Sequence, residues 1–166
     1  MAFCERVRAD IVHYSDLHFH VDAPHGNGRW PEQGVIADLL GDLHPDIPMA
    51  PGVYVLGTSA QALVYPWGTS KVFYIGESAD VRRRLQYHRR QTLKVMEGEI
   101  RSDHERNQFG AAFGMECAWW TCAEGETSRG LEDRFLRDFW ARYGATPVAN
   151  GQWTRGESAK ADGDGA

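Results

Sequence analysis

Residues 127–144, TSRGLEDRFLRDFWARYG, carry an apolar side chain at every fourth position: Leu131, Phe135, Phe139 and Tyr143. That spacing puts all four on one side of an α-helix. Thr127 or Ser128 can cap its start, Gly144 stands where a C-terminal glycine belongs, and Pro147 blocks continuation. A helix with one apolar stripe draws most of its stability from the surface that covers it. The rest of the chain has to supply that surface.

Three runs are suited to do so. PGVYVLG (51–57) is small and β-branched, bounded by Pro51 and Gly57. KVFYIG (71–76) ends on Gly76, and AAFGMECAWWTC (111–122) reads as a third strand. The connection TSAQALVYPWGTS (58–70) breaks at Pro66 and Gly68, and its ALVY centre can extend a hairpin. SADVRRRLQYHRRQTLKV (78–95) reads as a helix with Ser78 or Asp80 as N-cap. The polar stretch 96–110 reads as a loop, and VIADLLGDL (35–43) as a short helix. The predicted order is strand, strand, helix, strand, helix, an α/β chain of the α+β type. Residues 1–49 read as an N-terminal extension packing on the core, 50–152 as the domain, and 153–166 as a disordered tail.

The chain has 166 residues, 42% of them hydrophobic, and a net charge of −5. The charge is uneven: residues 71–106 hold nine Lys and Arg against six Asp and Glu, a local +3. A local basic patch is what phosphate contact requires. No apolar run of membrane-spanning length occurs, so no membrane partner is expected. The N-terminus lacks the order of a secretory signal, and three scattered cysteines make no disulfide framework. A cytoplasmic setting with free thiols is therefore expected.

On the first helix Val81, Leu85 and His88 form a core-facing stripe. Arg84, three residues after Val81, is expected to share it, where a guanidinium requires a carboxylate or a bound anion. Arg82, Arg83, Arg89 and Arg90 point to the sides and outward. Glu132 stands beside the stripe of the last helix, a place for a capping-turn carboxylate or a metal ligand. Tyr54 and Tyr74 lie in neighbouring strands, where packing is the ordinary role. Phosphodiester hydrolysis needs a deprotonated water, cations on the phosphate and help for the leaving oxygen. These residue types can meet those needs if they converge.

GVY at 52–54, YIG at 74–76, Arg84 eight residues after Gly76, Glu132 in a later helix and Asn150 in PVANG together resemble the GIY-YIG nuclease superfamily over about residues 50–152. The resemblance implies a small three-stranded antiparallel central sheet flanked by helices and DNA cleavage with one Mg²⁺ or Mn²⁺. It implies Tyr54 as general base, Tyr74 as a hydrogen-bonding partner, Arg84 as phosphate clamp, His88 as a histidine found in some members and Glu132 as metal ligand. Gly52 and Gly76 would serve the motifs' backbone, Gly76 by a tight turn beside the phosphate, and Asn150 would tie the last loop to the site. A charged Arg84 and the metal would lower the Tyr54 pKa. Lys71, Arg82, Arg83, Arg89, Arg90 and Trp67 are the candidate DNA contacts, with Lys94, Arg101 and Arg106 as backbone-phosphate contacts.

The two tyrosine motifs stand 19 residues apart, longer than in compact members, and the Arg84–His88 pair leans toward restriction-type members. His18, His20, Asp22 and His25 could bind zinc, although no cysteine pair supports it. Of Trp119 and Trp120, one is expected in the core. Two other functions stay open: a non-catalytic nucleic-acid-binding module of the same fold, or a module whose basic helix binds an acidic protein. Oligomeric state is left open.

Overall fold

A computed structural model describes residues 37–101 and 104–151. Six strands, β1 (Ala37–Asp38), β2 (Gly52–Gly57), β3 (Leu63–Tyr65), β4 (Gly68–Ser70), β5 (Val72–Ser78) and β6 (Glu116–Thr121), and three helices, α1 (Val81–Met96), α2 (Glu105–Phe113) and α3 (Ser128–Tyr143), are formed by the described residues. The main sheet is antiparallel throughout, in the order β1-β6-β2-β5. The expected three strands are β6, β2 and β5, and the two-residue β1 from the extension adds a fourth beside β6. β3 and β4 pair as a hairpin turning at Pro66–Trp67.

Every residue of β2 is buried because β2 is central and both faces are covered. Alternation sends Tyr54 toward α1, where it meets His88, and its neighbour Val53 to the opposite face, where the paired Trp120 rests edge-on against Phe135 of α3 with ring centroids 4.7 Å apart. α1 and α2 therefore lie on one side of the sheet and α3 on the other. Asp80 caps α1 by accepting from Arg83 N at 2.9 Å, and Thr127 caps α3 by accepting from Gly130 N at 3.1 Å. Gly144, at φ 75°, ends α3 as expected. Gly52 is required by close packing: a Cβ there would run into the Trp120 carbonyl of β6.

Two expectations fail. Residues 39–42 are bends, not a helix, because Asp38 Oδ1 accepts from Leu40 N at 2.9 Å and Leu39 N donates to Met115 O at 2.8 Å. An aspartate that bonds its own following backbone competes with helix formation. Residues 105–110, expected as loop, and 111–113, expected to open the third strand, form α2. Its apolar pattern is weak, and it is held instead by packing: Asn107, Gly110 and Phe113 are buried, and Gly110 lies so close to Met115 and Thr92 that a side chain would not fit. Within the extension, residues 37–50 do pack on the core, with Leu39 and Ile47 buried. The histidines at 13–25 and the tail from 152 lie outside the described residues.

β5 is an edge of the sheet. Ala149 N donates to Phe73 O at 2.9 Å, and the Asn150 amide closes on Ile75 from both sides, accepting from Ile75 N at 2.8 Å and donating to Ile75 O at 2.6 Å. The expected tie between the last loop and the YIG strand is thus a two-bond amide clip. Asn150→Ala is expected to destabilise the fold by about 1–3 kcal/mol, since both Ile75 backbone groups lose their partners. Urea unfolding and faster exchange of the Ile75 amide would show it.

Candidate active site

The Tyr54 hydroxyl lies 2.9 Å from His88 Nε2, and both side chains are buried. Three rings form one wall: Tyr54 to His88 at 5.3 Å, Tyr54 to Tyr74 at 6.0 Å and Tyr74 to His88 at 6.1 Å between centroids. Gly76 makes the wall possible. A Cβ there would stand 2.6 Å from Tyr54 Oη and 2.6 Å from Tyr74 Cε1. Gly76 lies inside β5 rather than in a tight turn, so its role is to make room for two rings.

Burial dominates the titration of this wall. It pushes the Tyr54 phenol well above its ordinary range, with Tyr74 adding to the rise, and Arg84 and Arg106 offset only part of it. Arg84 lowers the Tyr54 pKa as expected, but burial outweighs it and the phenol is protonated. Burial, then Arg106 and Arg84, push His88 down to about 3. The ring is neutral at pH 7, and which ring nitrogen carries its proton sets whether Nε2 accepts from the phenol or donates to it. Asn107 lies near enough to favour the charged ring slightly, yet Nδ1 has no partner at hydrogen-bond length among the described residues.

This has a consequence for acid stability. The unfolded chain protonates His88 near 6.5, while the folded chain resists down to about 3. Stability is full above pH 6.5 and is lost as pH falls toward 3, by of order 4 kcal/mol at the low end. In His88→Gln, urea denaturation at stepped pH is expected to show a slope shallower by one proton across this window.

Glu132 lies on the other face of β5. Glu77 pairs with Val53 across β2, opposite in facing to Gly76 and Tyr54, and its backbone N–H donates to the Glu132 carboxylate. Ser128 Oγ donates to Glu77 Oε2 at 2.6 Å. Burial first, then the neighbouring Glu77 charge, raises Glu132 to about 7. Two mutually repelling carboxylates at a half-buried position are an oxygen donor set suited to a hard divalent cation. Among the described residues no group of three His, Cys, Asp or Glu could hold a metal ion. A site with few protein ligands fits Mg²⁺, which keeps several waters.

Tyr54 and Glu132 thus do not touch. They are joined through one peptide: Tyr54 packs on Gly76, and Glu132 bonds the next backbone N–H. Standard bond and hydrogen-bond lengths keep the phenol and the carboxylate within roughly 9 Å of each other.

Arg84 is not on the buried stripe. That stripe is Val81, Leu85, His88 and Thr92, about 60° wide, and Arg84 stands roughly 70° round from its centre, exposed. Its charge still reaches Tyr54 and His88. It is an exposed rim cation, not a buried one.

The flanking arginines divide by their place around α1. Arg82 and Arg89 share the other flank and bind backbone: Arg82 donates to Pro45 O at 2.9 Å and Ile47 O at 3.1 Å, and Arg89 Nε donates to Gly41 O at 2.6 Å. These two hold the 41–47 segment on α1. Arg83 and Arg90 are exposed on the outer face.

Lys71 donates to Ser59 O at 3.1 Å at the Gly57–Glu116 end of the sheet, away from Glu77. Trp67 is 66% exposed but packs on Trp140 and Gly144 at the far end of α3, roughly 15 Å along the helix from Glu132. Neither joins the site. Trp119 and Trp120 are both packed, on His44 and Phe135 respectively.

Glu77 was not identified from the sequence, and Arg106 was read only as a backbone-phosphate contact. Glu77, beside Gly76, carried no signal except its carboxylate next to YIG. Arg106 reaches the wall because α2 exists, and its guanidinium carbon lies 5.0 Å from the Tyr74 ring centroid. No family model matches the chain, and no curated protein and no solved structure matches it.

Proposed function

We propose that this chain is a metal-dependent endonuclease hydrolysing DNA phosphodiester bonds, of the GIY-YIG type that its motifs resemble. The observation that carries the proposal is the buried Tyr54–His88 hydrogen bond, with two guanidinium groups acting on it and Glu132 held one peptide away. Its spacing and its Arg84–His88 pair favour a restriction or phage-defence setting.

The chain's own residues suggest the chemistry. A scissile phosphate at the β5 edge meets Arg84 at the rim, whose planar fork matches its oxygens. The protonated Tyr54 cannot take a proton until it gives its own away. With the His88 ring proton on Nδ1, the proton of the attacking water passes to Tyr54 Oη while the phenol proton moves to His88 Nε2. The phosphate's negative charge, arriving over the same wall, raises the basicity of His88. The new P–O bond forms as the bond to the leaving oxygen breaks, and that oxygen takes a proton from solvent. Glu132, with Glu77 beside it, would hold Mg²⁺ or Mn²⁺, which would supply Lewis-acid stabilisation of developing negative charge.

The test is incubation with plasmid, single-stranded and branched DNA plus Mg²⁺ or Mn²⁺, with EDTA as control. Metal-dependent nicking or linearisation is expected, with termini mapped to separate site-specific from structure-selective cutting. Salt-dependent DNA binding with no cleavage under either metal would instead establish a non-catalytic module. Among the described residues no helix is long and apolar enough to cross a membrane.

A further inference from the structure

We infer that Arg106 is a second substrate-contacting guanidinium, which with Arg84 forms a two-armed clamp for a backbone phosphate over the Tyr54–Tyr74–His88 wall. The inference stands on the nuclease assignment above and adds a residue from α2, an element that brings none of the motif residues.

Four observations converge on it. The Arg106 guanidinium lies over Tyr74, whose ring adjoins both Tyr54 and His88, so it shares their wall. Its Nε is buried with no hydrogen-bond partner, and the ion pairs of the described residues include neither Arg106 nor Arg84. A buried N–H without an acceptor is unfavourable, and a charged one more so. The charged groups acting on Tyr54 and His88 include Arg84 and Arg106 but no carboxylate, so the field over the wall is positive. Finally, Arg106 is held in place: its neighbour Asn107 is buried, and Gly110 seats α2 tightly against Thr92 of α1 and Met115.

A positive wall with an unfilled donor is a receptor for an anion. Two forks approaching from two helices suit a tetrahedral oxyanion, whose oxygens point in several directions. A planar carboxylate would occupy one fork only. Phosphate is thus the matching ligand, and stacking on Tyr74 keeps the guanidinium flat and aimed while the site is free.

The test uses the full chain in EDTA, titrated with inorganic phosphate while the tyrosine and histidine ring resonances are followed by NMR. Wild type is expected to bind with shifts at Tyr54, Tyr74 and His88. Arg106→Gln is expected to weaken binding about tenfold or more, and to lower the salt slope of duplex DNA binding by about one. If Arg106→Gln melts early, Arg106→Lys serves, since it keeps the charge but not the fork. Several-fold weaker phosphate binding with an unchanged melt is expected from it.

Phosphate affinity and salt slope equal to wild type in the Gln variant, or equal phosphate affinity in a stable Lys variant, would overturn the clamp and leave Arg106 as packing on Tyr74. Phosphate binding that depends on Arg106 in a protein that cleaves no DNA would keep the clamp and remove the nuclease assignment. Cleavage with kcat and KM unchanged by Arg106→Gln would do the reverse.

Discussion

Glu132→Gln is expected to abolish metal-dependent cleavage, by about a thousandfold or more, while leaving the fold as stable as before or more so. The two effects have one cause. Burial and the adjacent Glu77 push the Glu132 carboxyl up to about 7, so its ionised form is strained in the folded chain. A carboxyl with a raised folded pKa contributes fully below its unfolded value, and that contribution is lost as pH rises through about 7. The neutral amide has no such loss. The gain above pH 7 is of order 1 kcal/mol once screening at this half-buried position is allowed for. The amide is nevertheless a much poorer ligand for a hard cation than a carboxylate. Parallel measurement of plasmid cleavage and urea midpoints at pH 6 and pH 8 checks both. Full activity in this variant would remove Glu132 from the chemistry. Lost activity with a collapsed fold would make it structural.

Gly76→Ala is expected to disrupt both the fold and the tyrosine wall. The new Cβ would meet Tyr54 Oη, Tyr54 Cζ and Tyr74 Cε1 at 2.6–2.8 Å. Tyr54 cannot swing aside, since its hydroxyl is bonded to His88 and its ring is buried. Overpacking of this kind costs about 1–3 kcal/mol, and the displaced hydroxyl adds about 1 kcal/mol. Cleavage should fall by about a hundredfold, the contribution of a positioned proton acceptor. The pair Gly76→Ala with Tyr54→Phe separates the causes. Without the phenol oxygen part of the clash disappears, so the double variant should be more stable than the sum of the singles predicts, yet remain inactive. Thermal melts with cleavage assays on the four proteins give the comparison.

Much of this framework can be read in the residues, for physical reasons that differ by element. α3 is marked by its four-residue apolar spacing, Thr127 and Gly144. β2 and β5 are marked by short runs that end on glycines or small residues. The position of Asn150 against Ile75 follows from no local pattern, and only the motif resemblance pointed to it. α2 was illegible because its stability is tertiary: Asn107 and Gly110, two poor helix formers, are the residues that seat it. Arg106 was therefore read as a distant phosphate contact when it belongs to the wall.

Arg84 shows the limit of helical spacing in the other direction. Three residues from Val81 is near enough to share a broad stripe, but the buried stripe of α1 is narrow. The segment 41–47, held by Arg82 and Arg89, covers one flank of the helix and leaves Arg84's flank open. Side-chain facing depended on a partner segment whose path the local pattern does not specify.

The Asn150 clip has a consequence for self-association. A border strand with free amide and carbonyl groups invites a second copy to add alongside and start a growing fibre. At Ile75 both groups are occupied by a side chain, which cannot pass the pairing on. The strand that carries Tyr74 and Gly76 is thus closed to such pairing at Ile75.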